Sequence, residues 1–226
     1  MYNVEKNLNR ILKHQPTFFL DPKEQMELIG KLRKEEYKIY YPYPDSEKVI
    51  FYKDRLPEII LYEIKSSIPL KHQDILGTMF SLQIANEMFG DIILDNGHYY
   101  IYILKLFQNY FETNFTSVKN SSIELVELDI DYLKDYHRKY ERLELIVSSE
   151  RIDAIICRIM NISRSGIEEK YKNKEIIYNY DFLKNLSTKL KVNDTFSIRK
   201  IGKFKYMGIL KTTKSNNIIV SIYKYL

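Results

Sequence analysis

The sequence predicts an α+β protein, and three observations carry that reading. Apolar residues alternate at period two in several short runs and recur at helical spacing in others. Prolines and an Asn-Gly step separate the runs in the first half. The middle of the chain orders its elements strand, helix, strand, strand, helix, strand. With 226 residues, 45% of them hydrophobic, the chain can fill more than one small core. No run of about 18 apolar residues occurs, and the opening "MYNVEKNLNR" carries charges where a signal peptide needs an apolar stretch. A cytoplasmic protein without membrane contact is expected. Cys157 is the single cysteine, so no internal disulfide forms, and His14, His72, His98 and His137 lack metal-ligand spacing. Neither a metal nor a small-molecule cofactor is expected.

An N-terminal α/β region spans residues 1–64. Asp21-Pro22 followed by Glu24 supplies an N-cap oxygen, a preset φ and a carboxylate three residues on, which starts a helix through Met26, Leu28, Ile29 and Leu32. "YKIYY", "VIFY" and "EIILYEI" read as strands, divided by Pro42 and Pro44 and then by Pro57.

The middle domain spans residues 65–143 and takes its first strand from Glu58 to Ile64. A helix follows with Ile75, Leu76, Met79, Phe80 and Leu82 at helical spacing. "GDIIL" and "HYYIYI" form a hairpin across Asp95-Asn96-Gly97, a type I′ signal. A helix at about Leu104 to Phe111 and the alternating "SIELVEL" complete a βαββαβ order, the ferredoxin-like pattern that RNA-recognition motifs also use. Period two places Tyr100 and Tyr102 on the face opposite Ile101 and Ile103, making them candidate base-stacking platforms. The short basic-Gly-aromatic signature of such motifs is missing. A charged bridge, "DIDYLKDYHRKYERLE", reads as a connecting helix with solvated acids.

Charge is unevenly placed. From Glu144 onward 16 basic side chains face 8 acidic ones, a net of +8, whereas the first 143 residues carry 19 against 22, a net of −3. A basic module on a near-neutral body is the footprint of a nucleic-acid binder. Within the 144–226 module, Ile152, Ile155, Ile156, Ile159 and Met160 make an apolar helical stripe and turn Arg151 and Arg158 away from the core. After Asn161 a second helix starts at Ser163 or at Ser165, the latter with Glu168 as a capping box. Either start puts Arg164 at a helix N-terminus, where the dipole favours an anion. Lys170, Lys172 and Lys174 follow, and then "IIYN", "TFSIRKIGKFKYMGIL" and "NIIVSIYKYL" close the chain with strands.

"RIDAIICRIMNISRSGIEEKYKNKEIIYN" followed by "LKVNDTFSIRKIGKF" resembles an S4 (α-L) RNA-binding domain. With "LKHQDILGTMFSLQIANEMFGDIIL" and "TFFLDPKEQ", the chain is similar to the YlmH-like family of bacterial S4 proteins over most of its length. The resemblance implies RNA binding on the large ribosomal subunit, with tRNA contact and a part in ribosome quality control. Carried over by position, the family's Arg-Leu-Asp falls on Arg151, Ile152 and Asp153, and its Ser-Arg on Ser163 and Arg164. Asn179 matches the strand-closing asparagine, while Asp194, Ser197 and Arg199 match the Asp-x-x-Ser-x-Arg portion. Two turn glycines are replaced, by Lys174 and Tyr180, and the Arg-Gly-x-Gly-Arg pattern becomes Arg199, Lys200, Ile201, Gly202 and Lys203. In the middle domain a His-Arg-Asp reads His72, Gln73 and Asp74, and a Lys-Arg-Glu becomes Ala85, Asn86 and Glu87.

The expected function is non-catalytic binding of structured rRNA. Arg151, Arg164, Lys170, Lys172 and Lys174 would contact phosphate, Ser163 and Ser165 would cap or donate hydroxyls, and Arg199, Lys200 and Lys203 would form a second basic edge. Asp153 is expected to orient Arg151 or a backbone group rather than touch RNA. Two alternatives stand beside this reading. One is a protein-interaction adaptor using the same basic surface. The other is an S4-bearing RNA-modifying enzyme. A pseudouridine synthase needs a catalytic aspartate in a large domain of its own, and a methyltransferase needs a glycine-rich loop, but the seven glycines form no Gly-x-Gly. "KTTKS" at 211–215 echoes a tRNA-synthetase loop without a nucleotide-binding domain beside it. No nucleophile, base and orienter fall together.

Overall fold

The structure, a computed structural model, describes residues 2–32 and 36–226. It has mixed helices and antiparallel sheets, an α+β architecture, and divides into two compact units, Met1–His137 and Arg138–Leu226. The expected boundary at 143/144 thus lies inside the second unit, because the strand beginning at Tyr140 pairs only within that unit.

The first unit opens with helices α1 (Tyr2–Leu12) and α2 (Pro22–Leu32) and the paired strands β1 (Lys38–Tyr40) and β2 (Ile50–Tyr52). Asp21 Oδ1 accepts from the Glu24 backbone N–H at 2.9 Å, and Glu24 Oε2 accepts from the Asp21 N–H at 3.1 Å. Two otherwise orphaned donors are satisfied reciprocally, which fixes where α2 starts. Leu28 and Leu32 face a core with Val4, Ile11, Leu20, Val49 and Phe51.

A five-stranded sheet follows, built from β3 (Ile59–Ser66), β4 (Phe89–Asp95), β5 (His98–Leu104), β6 (Ser117–Val118) and β7 (Ser121–Leu128). Helices α3 (His72–Ser81) and α4 (Gln108–Asn114) connect them. The spatial order is β4-β5-β3-β7-β6, antiparallel throughout. Asn96 and Gly97 both have positive φ, 48° and 88°, as the β4–β5 hairpin requires. Ile60, Tyr62 and Ile64 of β3 and Tyr99, Ile101 and Ile103 of β5 pack with α3 and α4 residues such as Ile75, Met79 and Phe111.

The other face of that sheet is covered as well. Phe18, Phe19, Tyr43 and Ile50 from the N-terminal region, with Leu133, pack against Leu61, Ile93, Tyr100, Tyr102 and Leu104. Tyr102 OH donates to Pro42 O at 3.1 Å, and Tyr43 OH to Asp91 Oδ2 at 2.7 Å. Lys48 Nζ donates to Asn86 O, Asn86 Oδ1 and Phe89 O at 2.7, 2.9 and 2.9 Å. Burial lowers the Lys48 ammonium to about 8. Gly90 lets this seam close tightly: a Cβ there would meet Tyr102 Cβ at 3.2 Å and Phe19 Cε1 at 3.3 Å.

The second unit contains β8 (Tyr140–Val147), α5 (Ile152–Met160), α6 (Arg164–Lys172), β9 (Ile176–Tyr178), β10 (Asp181–Phe182), β11 (Thr195–Ile198), β12 (Gly202–Thr212) and β13 (Ile218–Tyr225). Its sheet runs β10-β9-β11-β12-β13-β8. The last five residues of the charged bridge expected to be a helix open β8 instead, in register with β13 from Tyr140↔Tyr225 to Val147↔Ile218. Leu143, Leu145 and Val147 alternate at period two and reach the core, a spacing that a helix would have scattered around its axis. That core joins Val220 and Ile222 of β13 and Phe204 and Tyr206 of β12 to Ile152, Ile155 and Ile156 of α5 and Ile167 of α6.

Candidate nucleic-acid interface

The second unit holds 19 basic and 9 acidic side chains, a net of +10, against 16 and 21 in the first, a net of −5. The strongest concentration of guanidinium groups follows from how α5 and α6 are built. Arg151 is the N-cap of α5, and backbone bonds from Ile152 N to Thr188 O (2.9 Å) and from Asp153 N to Leu186 O (3.3 Å) hold the helix start in place. The α5 stripe Ile152, Ile155, Ile156 turns inward, so Arg151 and Arg158 project outward. Asn161, at φ 52° and ψ 46°, ends α5 in the left-handed conformation that asparagine tolerates. The chain then turns, and Ser163 Oγ caps α6 by accepting from Gly166 N at 3.4 Å. Ser165 Oγ lies 2.8 Å from Ser163 Oγ. Of the two starts open in the sequence, Ser163 is the cap, and Arg164 is the first helical residue.

These elements enclose a groove of about 410 Å³, lined by Ser148, Ser149, Arg151, Asp153, Cys157, Arg158, Asn161 and Arg164 among others. Asp153 orients Arg151 with a two-pronged pair, Nε–Oδ1 at 3.0 Å and Nη2–Oδ2 at 2.5 Å, and also accepts from Ala154 N at 2.8 Å. Both of its carboxylate oxygens therefore have a partner, while Arg158 and Arg164 remain exposed. Burial pushes the Cys157 thiol up, with Asp153 adding to the shift and Arg164 opposing it. The groove thus holds a thiol, three guanidinium groups, a carboxylate committed to one of them, and hydroxyls from loops. Such a set has the chemistry to bind an oxyanion. Arg158 belongs to it although the sequence reading placed it only as pointing away from the core. Its signal was its position opposite the isoleucine stripe, in the last turn of α5.

The remaining expected contacts lie elsewhere in the unit. Lys170 is paired with Glu175 at 2.8 Å and is partly buried. The Glu175 carboxyl is held below the usual range by Lys170, with Arg199 and Lys200 adding their charges, so these cations gather beyond the C-terminal end of α6. Lys172 and Lys174 are exposed nearby, and Lys174 Nζ lies 5.7 Å over the Phe182 ring. Lys203 is on the sheet face away from the helices, 3.3 Å from Tyr180 OH. Asn179 is an internal brace: Nδ2 donates to Asp194 Oδ1 and Oδ1 accepts from Thr195 N, both at 2.9 Å. Tyr178 OH donates to Asp194 Oδ2 at 2.6 Å, and burial followed by this carboxylate pushes the phenol up to about 12.

Tyr100 and Tyr102 require a correction. They point opposite the isoleucine face, but they are only 5% and 0% exposed beneath the N-terminal region, so neither ring can stack on a base in this conformation. Among the described residues, no helix is long and apolar enough to cross a membrane.

The fold and charge partition define a two-unit α+β protein whose basic C-terminal unit carries a groove lined by three arginines. Residues 56–132 match the family described as "Putative RNA-binding domain in YlmH". Among solved structures, the cell division protein ylmH from Streptococcus pneumoniae aligns at 21% identity and a TM-score of 0.48, over 59% of this chain and 93% of that one. No curated protein matches the sequence.

Proposed function

We propose that the protein is a non-catalytic RNA-binding protein of the ribosome. In this reading its second unit is an S4-type module that docks on structured rRNA of the large subunit, with tRNA contact, in ribosome quality control. The middle domain is read as ferredoxin-like, on the strength of its β4-β5-β3-β7 order around two split βαβ units. The observation that carries the proposal is the confinement of positive charge to the unit with the arginine groove. The matched segment 56–132 holds 4 lysines and no arginine against 11 acids, a net of −7. Phosphate contact is therefore assigned to the second unit, where counterion release is favourable. The non-catalytic reading is supported by a Cys157 kept as thiol and an Asp153 committed to Arg151, which leave the groove without an activated nucleophile or a free base.

Binding of the full chain to an rRNA hairpin across a salt series tests this. With four to six phosphates neutralised, log Kd should change with log salt at a slope of roughly 3 to 5 in magnitude. Replacing both Arg158 and Arg164 by alanine should weaken binding and lower that magnitude by about 2. A slope near zero, or a double variant that binds as the natural chain does, refutes the proposal. Recovery of large-subunit rRNA with the protein should vanish on nuclease treatment, whereas an adaptor bound to ribosomal protein would retain its partner.

A further inference from the structure

One long strand of the C-terminal sheet has a side without a neighbour. In the order β10-β9-β11-β12-β13-β8, β8 stands at the edge, and it pairs with β13 from Tyr140 to Val147 in one register without a bulge. The parity of that ladder fixes which backbone groups are turned outward. Leu226 N–H donates to Lys139 O at 3.3 Å, and in an antiparallel pair the residues that bond across alternate with those that bond away. Glu141, Leu143, Leu145 and Val147 therefore turn their N–H and C=O groups to β13, whereas those of Arg142, Glu144 and Ile146 point away from it. Among the described residues, no strand pairs with this edge. Leu143, Leu145 and Val147 reach the core, so the side chains of Arg142, Glu144 and Ile146 lie on the face away from α5 and α6, and all three are exposed.

An open edge accepts another strand unless charge of one sign, a proline or a bulge guards it. The other long edges are guarded. β4 has a register shift between Phe89 and Ile92, and its Phe89 carbonyl is taken by Lys48. β7, which from Ile123 on pairs as a strand only with β3, carries Glu124 and Glu127 and no cation, so a second copy laid against it meets only its own sign of charge. β8 has neither proline nor bulge, and its outward residues carry both signs. Centring a self-pair on Arg142 or on Glu144 would oppose like charges. Centring it on Leu143 places Arg142 of each copy opposite Glu144 of the other, twice by symmetry, and these residues are the ones whose N–H and C=O groups face across. Within one chain Arg142 and Glu144 are already paired at 3.0 Å, but both side chains are 55% exposed, and a surface pair of that kind is worth little, so exchanging it for the cross-copy pair costs little.

We propose that the β8 edge is a docking surface for a second copy of this chain, two β8 strands pairing antiparallel about Leu143 into one continuous sheet. The backbone groups of Arg142 and Glu144 gain partners, and their side chains gain opposite charges. The pairing sets the two Ile146 positions, each at the lining of an arginine groove, about 20 Å apart at the rise of a strand. One strand a side is small against the roughly 20–30 residues a side of a stable complex, so the dimer dissociates at micromolar concentration.

Sedimentation velocity of the full chain across a concentration series tests this, after nuclease treatment to remove bridging RNA. A monomer–dimer equilibrium is expected. Arg142→Glu and Glu144→Arg each oppose like charges twice across the axis, at exposed positions, and should raise the dissociation constant by about ten-fold or more. Mixing the two variants sets the two glutamates of one chain against the two arginines of the other, so the mixture should dimerise at concentrations where neither does alone. Amide exchange in peptides covering residues 140–147 should slow as concentration rises, because the outward N–H groups gain acceptors. A natural chain that stays monomeric at about 100 μM overturns the inference and leaves the edge to a strand of another protein. A dimer undiminished in both single variants overturns it as well, as do a mixture that stays monomeric and exchange at 140–147 that ignores concentration.

Discussion

Lys174 occupies the position after α6 where the related turn carries glycine, and it does so at φ 55°. Its N–H donates to Tyr171 O at 3.0 Å and that of Glu175 to Lys170 O at 2.9 Å, the bond pattern of a helix closed by a left-handed residue. A side chain in that conformation costs about 1–2 kcal/mol relative to the right-handed one. Replacement by glycine removes the Cβ penalty but adds unfolded-state freedom worth roughly 0.5–1 kcal/mol. It also forfeits the exposed ammonium–Phe182 contact, about 0.5 kcal/mol at 5.7 Å. The net expectation is that Lys174→Gly lies between about 0.5 kcal/mol below the natural chain and about 1 kcal/mol above it. Lys174→Ala keeps the backbone penalty and loses the contact, so it should be the less stable variant by about 1 kcal/mol. Urea unfolding of natural chain, glycine variant and alanine variant measures this, and RNA binding measured on the same three separates backbone from charge. If the lysine also contacts phosphate, both variants lose affinity equally and each lowers the salt slope by about 1. An alanine variant as stable as the glycine variant would refute the strain argument.

Three further outcomes follow from the geometry. Gly90→Ala should destabilise the first unit by about 1 kcal/mol through crowding against Tyr102 and Phe19, whose side chains are fully packed, and should raise protease cleavage in residues 1–56. Lys48, lowered to about 8 by burial, loses its proton in the folded chain before it does in the unfolded one. The unfolded state then binds more protons above pH 8, so stability should rise from pH 8 towards pH 10, at up to about 1.4 kcal/mol per unit from this group. Urea midpoints across that range should show the rise, and Lys48→Met should abolish it. Asn179→Ala leaves Asp194 and the Thr195 N–H each short of a partner and places alanine at φ 45°, so a loss of about 2–3 kcal/mol is expected in urea unfolding.

Much of the local structure is legible in the residues themselves. The reciprocal bonds of Asp21 and Glu24, the positive φ at Asn96-Gly97 and the inward isoleucines of α5 all arise from groups within four positions of one another. The charge division is equally a property of the sequence. Other elements escaped. Helix α1 lay in a stretch read only for its charges, although Val4 and Ile11 on one face are buried. The bridge at 129–144 carried a strand whose leucine alternation was hidden among charges, because its pairing partner is at the far end of the chain.

The sequence by itself determined the element types, the parity of the strand faces and the concentration of cations in the C-terminal unit, since each depends on neighbours in the chain. Only the tertiary structure decided what packs against each face. Tyr102 and Tyr223 sit at equivalent positions in their local patterns, each a tyrosine opposite a buried aliphatic row. One is sealed by residues such as Phe18 and Tyr43 and bonded to Pro42, 60 positions away, while the other lies beside Arg142 on the face of its sheet away from α5 and α6. Periodicity assigns a side chain to a face, but coverage of that face depends on remote segments and the apolar area they bury against it, which no local pattern encodes.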